Sequence, residues 1–403
     1  MRMRYSLGSH LAGATAARTG DEMSGPALLL AGLALAGATV EASALLAGIT
    51  ISAAVGGPVL GALLDRARRP GNLLAGALAL YAAGLGAILV GLDRLPFAVT
   101  LLIAVSTGLV GPALSGGWSA RLPDVARGDR LPRANALDAM TFGVAGLAGP
   151  ALAGGVAELL GAPAAVVVSA VLIVSALPFA WLLPARPALA RRTRTTSVFS
   201  DLVAGMRVIA GRPALARATV TSVVSCVAQG MLMVCLPLLG ERVLGGAGRG
   251  AVLLSCAAVS ALVATAVLAR FARSVPPDTI IRASVLVQAA ASALAAWDRP
   301  VVLVVAVLLA GIGEGPQLAA LFAVRHREAP EHLRGQIFST GASLKISGFA
   351  LGAVVAGPVA ARSLPGTLAL AASVAALAAL ACFAIPDSSV RNRDRKSPHR
   401  QAS

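Results

Sequence analysis

Apolar runs of about twenty residues, separated by short segments rich in arginine, follow one another along almost the whole chain. Each is long enough for a helix to cross the hydrocarbon core. None alternates with period two, which excludes a β-barrel. The pattern predicts twelve spans at roughly 12–38, 41–64, 72–92, 95–119, 134–158, 163–183, 214–239, 250–269, 279–297, 300–324, 335–361 and 364–385. Within them a signature occurs twice. Gly111-Pro112, Arg121 and Gly149-Pro150 return as Gly315-Pro316, Arg325 and Gly357-Pro358, offset by 204, 204 and 208 positions in 403 residues. A repeat at half the chain length, inside apolar runs, indicates two related membrane halves. The expected fold class is therefore an all-α membrane protein of twelve transmembrane helices. An N-terminal six-helix half spans 1–183 and a C-terminal half spans 214–385. A cytoplasmic linker covers 184–213, with a short amphipathic helix near Val198 to Ile209, and a polar tail at 386–403 reads as disordered.

Composition agrees, with 57% hydrophobic and 13% charged residues and a mean hydropathy of +0.80. Charge then sets the orientation. Of 34 Lys and Arg, 28 fall on the side that carries both termini, which predicts cytoplasmic N- and C-termini in a bacterial inner membrane. The net charge of +16 is thus an orientation signal and an attraction to anionic lipid, and it calls for no nucleic acid. Cys226, Cys235, Cys256 and Cys382 lie in apolar spans without metal-ligand spacing, so no metal, disulfide or cofactor is expected. No apolar stretch of the kind a cleaved signal needs precedes Ala14. Glycine crowds the fourth, fifth and eleventh spans (Gly108, Gly111, Gly116 and Gly117; Gly143, Gly146, Gly149, Gly154 and Gly155; Gly348, Gly352 and Gly357), where the closest helix crossings are expected.

Between the second and third spans stands Gly57-Pro58-Val-Leu-Gly61-Ala-Leu-Leu-Asp65-Arg66-Ala-Arg68-Arg69-Pro70. This resembles the cytoplasmic loop signature of the major facilitator superfamily. Gly57 and Gly61 permit close packing at the helix end, while Asp65 with Arg66, Arg68 and Arg69 forms a charge cluster able to close one face. The equivalent loop of the second half has Arg270 where the first has Asp65, so a gate built there is asymmetric. In the fifth span, Gly146-Leu-Ala-Gly149-Pro150-Ala-Leu-Ala-Gly154-Gly155 looks like the glycine-proline signature of drug and proton antiporters of that superfamily, a helix bend at Pro150. The Gly20-Asp21 segment of the first span resembles the macrolide-efflux and siderophore-export branch. The arginine the superfamily carries in its fourth span has no counterpart in Val105 to Gly111, and Arg121 and Arg325 read as topology anchors.

An ionisable group near the bilayer centre costs about 2.5–3.5 kcal/mol on insertion scales, so it needs a partner, water or a function. Glu314 and Lys345 lie at similar depth on successive spans and could pair, either as a coupling element or as a static bridge. Asp21 and Glu22 share the first span with Arg18. If the helix begins before them they are proton or cation sites; if Thr19 caps it, they sit in a solvated first turn. Asp138, three residues after Asn135, reads as a capping acid. Gln229, Gln317 and Trp118 suit either a cavity or packing.

These features describe a monomeric secondary transporter in the lipid bilayer whose partners are a small molecule and protons. The favoured mode is proton-coupled efflux of a small, partly hydrophobic compound such as a drug or secondary metabolite, by alternating access. The alternatives are proton-coupled uptake of a small nutrient by the same fold and a non-transporting membrane scaffold. No nucleophile–base pair or nucleotide loop suggests an enzyme.

Overall fold

The computed structural model describes residues 5–36, 39–185, 198–244, 247–271, 274–297 and 299–384. The expectation of a disordered tail at 386–403, and most of the linker before Val198, lie outside the described residues. The first half comprises α1 (Leu7–Ala36), α2 (Thr39–Arg66), α3 (Pro70–Arg94), α4 (Phe97–Gly108), a π-helical turn (Ala113–Gly117), α5 (Leu122–Val125), α6 (Leu131–Leu160), α7 (Ala162–Ser175) and α8 (Leu177–Trp181). A linker helix, α9 (Val198–Gly211), leads to the second half: α10 (Pro213–Leu244), α11 (Ala247–Phe271), α12 (Pro277–Leu294), α13 (Pro300–Glu328), α14 (Arg334–Arg362) and α15 (Leu364–Ala384). No strand forms among the described residues.

Among the described residues, ten helical stretches are long and apolar enough to cross a membrane. The polar members α1, with Arg18, Asp21 and Glu22, and α12, with Asp278 and Arg282, pack into the same two bundles, consistent with twelve spans. The repeat is visible in the packing. In the first half α1 lies on α6 and α7 and α2 on α4; in the second, α10 lies on α14 and α15 and α11 on α13. Prolines open α3, α6, α7, α12 and α13, where a missing N–H leaves no bond unmade. Gly161, at φ +90°, makes the sharp passage from α6 to α7 that a side chain would strain.

Two spans depart from expectation. The fourth is broken after Gly108, where Gly111, Ala113 and Leu114 donate to carbonyls three residues back on the way into the π turn. Pro112 has no N–H to continue the ladder, and the chain crosses α2 so closely there that Gly56 lies against the Leu109 carbonyl. Its repeat partner Pro316 sits inside an unbroken α13. The sixth span is divided at Ala176 into α7 and α8, with Pro178 in the first turn of α8.

The glycine expectation holds at some positions only. A β-carbon on Gly149 would stand 2.7 Å from Glu22 Cβ, on Gly143 2.8 Å from Leu262 Cδ2, on Gly116 3.0 Å from the Phe338 carbonyl and on Gly348 2.8 Å from the Val223 carbonyl. Gly146, Gly154, Gly155 and Gly357 face open space, so they serve no close crossing. The halves meet through α2 on α14 and through α6 on α11 and α13.

Candidate functional site

The end of the bundle that carries Asp65 is shut. Gly57 and Gly61 bring α2 onto the start of α14: a β-carbon on Gly57 would lie 2.6 Å from the Ser339 carbonyl, and one on Gly61 2.5 Å from Gln336 Cα. One turn on, Asp65 receives the backbone N–H groups of Gly335 (2.9 Å) and Gln336 (2.8 Å), one on each carboxylate oxygen. A carboxylate of the first half thus caps the N-terminus of a helix of the second, where orphan donors and the helix dipole favour negative charge. Ser343 adds a bond from its hydroxyl to the Ala53 carbonyl at 2.9 Å.

Arg121 lies 3.4 Å from Asp65 and 3.4 Å from Asp124. Reading Arg121 as a topology anchor is therefore corrected, since it is buried in the gate. Arg325 is corrected too: it is buried, stacked over Phe338 and pressed against Gly341. Of the loop arginines, Arg66 donates to Asp201 of α9 at 2.7 Å, while Arg68 and Arg69 are exposed. Gln336 donates to the Leu202 carbonyl of the same linker helix at 3.0 Å, so α9 braces both halves.

Deeper in the first half lies a buried ion pair that the residue pattern concealed. Arg18 Nη1 is 2.9 Å from Asp138 Oδ1, with side-chain exposures of 2% and 0%. The guanidinium also donates to Ser119 Oγ (2.9 Å), the Ser115 carbonyl (3.2 Å) and Thr141, and lies 3.7 Å above the Phe142 ring. Ser119 in turn donates to Asp138 Oδ2 at 2.6 Å. Isolated, either charge would be prohibitive; satisfied on nearly every side, the pair persists. Asp138 is thus no helix cap: α6 begins seven residues earlier.

The midplane groups come from both halves. Because α1 starts at Leu7, Thr19 lies inside it and the capping alternative fails. Glu22 stands fifteen residues into α1 and Glu314 fourteen residues before the end of α13 on the same side, depths of roughly 20 Å at 1.5 Å per residue. Both are exposed to the space between the halves, and Glu22 lies in the field of Glu314. Lys345 acts on Glu314, yet no nitrogen–oxygen approach of 4.0 Å or less joins them among the described residues. Asp21 interacts with the Tyr81 hydroxyl, which shares a 3.0 Å hydrogen bond with Ser24. Glu22 of the first half and Glu314 and Lys345 of the second thus act on one another without a closed ion pair, while Asp21 turns to Tyr81 within the first half.

In the second half Gln229, Gln288, Gln317 and Ser225 form a hydrogen-bonded chain at 3.3, 2.9 and 3.1 Å. A separate cleft of about 470 Å³, lined by Asp129, Pro132, Leu268, Pro276 and Ala319, lies at the Asp65 end, remote from the midplane acids. The described residues hold no group of three or more metal-ligating side chains.

The sequence profile of the Major Facilitator Superfamily matches residues 11–353. The chain is 29% identical over 294 residues to an uncharacterized MFS-type transporter, y4rN, of Sinorhizobium fredii, covering 72% of each protein. Among solved structures it is similar to the human organic anion transporter MFSD10 (TETRAN), with TM-score 0.78, 17% identity and coverage of 94% of this chain and 99% of that one. A bacterial homologue of the iron transporter ferroportin in the outward-facing state has TM-score 0.78, 15% identity and coverage of 95% and 99%. The transporter FucP in the outward conformation has TM-score 0.68, 16% identity and coverage of 95% and 99%.

Proposed function

The chain belongs to the Major Facilitator Superfamily, multi-pass membrane transporters of small molecules, and on that premise we propose that it exports a small, partly hydrophobic compound against proton entry. The observation that carries this reading is the approach of Glu22 from the first half to Glu314 from the second, both exposed and at matching depth, with Lys345 acting on Glu314. Such groups change their mutual field when the halves rock, so a proton bound by one is held differently in the two states. That difference is what couples an ion gradient to movement. The Ala, Leu, Val and Gly that crowd the spans offer an apolar wall with few polar anchors, which suits a hydrophobic substrate better than a sugar.

The excess of Lys and Arg on one side supports an orientation with the termini and the Asp65 gate in the cytoplasm of a bacterial inner membrane. In that orientation the structure is outward-facing, shut on the cytoplasmic side. One proton moving through 100 mV supplies about 2.3 kcal/mol, enough for a gradient of roughly 40-fold.

The test uses everted membrane vesicles acidified by respiration, with the fluorescence of a pH-quenched acridine dye as readout. Tetraphenylphosphonium, ethidium and a neutral macrolide are added in turn. Proton release on addition of at least one probe, absent from vesicles lacking the protein, supports the reading; uptake of the probe driven by the opposite gradient sinks export.

A further inference from the structure

We propose that His326 is a positioning residue that ties closure of the Asp65 end to the buried Arg18–Asp138 pair. His326 belongs to α13 of the second half, yet both of its ring nitrogens bond to the first. Nε2 lies 2.9 Å from the Ser119 carbonyl and therefore donates to it. Nδ1 lies 2.8 Å from the Asn135 side-chain amide and, with Nε2 carrying the proton, accepts from its NH2, the amide being turned to present that end. The ring is buried and stacked on Phe338 of α14, centroids 4.5 Å apart.

Ser119 is the link. Its carbonyl accepts from His326, while its hydroxyl bridges Arg18 and Asp138. A second path runs through rings: Phe338 meets Phe322 at 5.6 Å, Phe322 meets Phe142 of the first half at 5.7 Å, and Arg18 lies on Phe142. The contacts close a circuit across the interface, from Arg18 through Phe142, Phe322, Phe338, His326 and Ser119 back to Arg18. Parting the halves at this end breaks it in two places, at Ser119–His326 and at Phe142–Phe322, and so removes two of the supports that hold Arg18 in its buried pose.

The broken repeat explains why such a latch is needed. Asp65 fastens α2 to the start of α14, but its counterpart beside α6 is Arg270, which cannot cap a helix N-terminus. The α6 side is fastened by His326 and Asn135 instead. The charged groups acting on the ring are Arg325 on its own helix, Arg334 at the start of α14 and Asp138 on α6.

The inference rests on the reading that the halves part at this end during the cycle. Ala139 of α6, buried in a cluster with Ala319 of α13 and outside the lining of the cleft, reports that parting when replaced by cysteine in a protein whose four native cysteines are serine. The purified full chain in lipid nanodiscs is treated with a membrane-impermeant maleimide. H326F keeps the ring stack and loses both hydrogen bonds, and it is expected to raise the alkylation rate about tenfold at unchanged monodispersity. D138N raises it as well, and H326F/D138N falls well short of the product of the single effects, because both act through Ser119. D65N serves as the independent opener. Reaction in D65N with a wild-type rate in H326F, or multiplicative effects of H326F and D138N, overturns the inference alone. No reaction in any variant overturns it together with the rocking reading.

Discussion

Replacing Asp65 by Asn removes the charge from the α2–α14 lock while keeping its shape. In the shut state the carboxylate accepts from Gly335 and Gln336 at 2.9 and 2.8 Å and faces Arg121 at 3.4 Å. The amide retains one acceptor oxygen, so one charge-assisted bond is lost and an NH2 group is turned against a backbone N–H. A hydrogen bond to a charged group contributes about 1.5–3 kcal/mol. The attraction of a carboxylate for a helix N-terminus is of comparable size in partly buried geometry. A net loss of about 2 kcal/mol corresponds to roughly a 30-fold change in the ratio of shut to open molecules, at 1.4 kcal/mol per decade. Spin labels at positions 68 and 331, both exposed and on opposite halves of this end, read that ratio by pulsed electron resonance in a cysteine-free background. The longer-distance population should rise accordingly in D65N and return when the acid is restored. A ratio within threefold of wild type would refute the cap as the principal fastening of this end.

D138N leaves Arg18 buried against a neutral amide, which should destabilise the protein by about 3–5 kcal/mol and lower its thermal midpoint in detergent more than any exposed acid substitution; R18M/D138L, which removes both charges, should recover most of the loss. E314Q should remain in the membrane and lose proton-coupled export, and wild-type transport by reconstituted E314Q would remove Glu314 from the coupling. For D21N the pH profile of probe binding should change, because the Asp21 carboxyl interacts with Tyr81 and with Glu22 next to it; an unchanged profile takes Asp21 out of the proton path. G61L should weaken closure at the Asp65 end, since a side chain there meets the backbone of Gln336, and is read by the same spin-label pair.

Much of the architecture was legible because bilayer physics leaves few choices: apolar runs of span length become helices, and a half-length repeat becomes two bundles. The Asp65 loop was legible for the same kind of reason, a glycine pair one turn from an acid at a helix end. What escaped was every partnership between residues far apart in the chain. Arg18 had Asp21 and Glu22 three and four residues away, and Asp138 had Asn135 three before it, so local pairings concealed a contact across 120 positions. A usable signal was nonetheless present. Charge unmatched in the repeat marks such sites: Glu314 faces Val110 and Lys345 faces Thr141 at an offset of 204, and by the same rule Arg18 faces Ser222 and Asp138 faces Ala342. The break after Gly108 also escaped, because Gly-Pro occurs in both copies and only the close crossing with α2 decides which helix yields.

The central claim is that acids from the two halves hold a proton differently in the two states. Glu22 lies in the field of Glu314; on the proposed reading the ionised pair repels, and a proton on either lets those ends approach and the Asp65 end part. The direct measurement is the 68–331 distance distribution in nanodiscs as a function of pH, without substrate. The account predicts that acidification lengthens the distance in wild type and that E22Q/E314Q abolishes the dependence. A distribution indifferent to pH in wild type, or a dependence that survives in E22Q/E314Q, would contradict it.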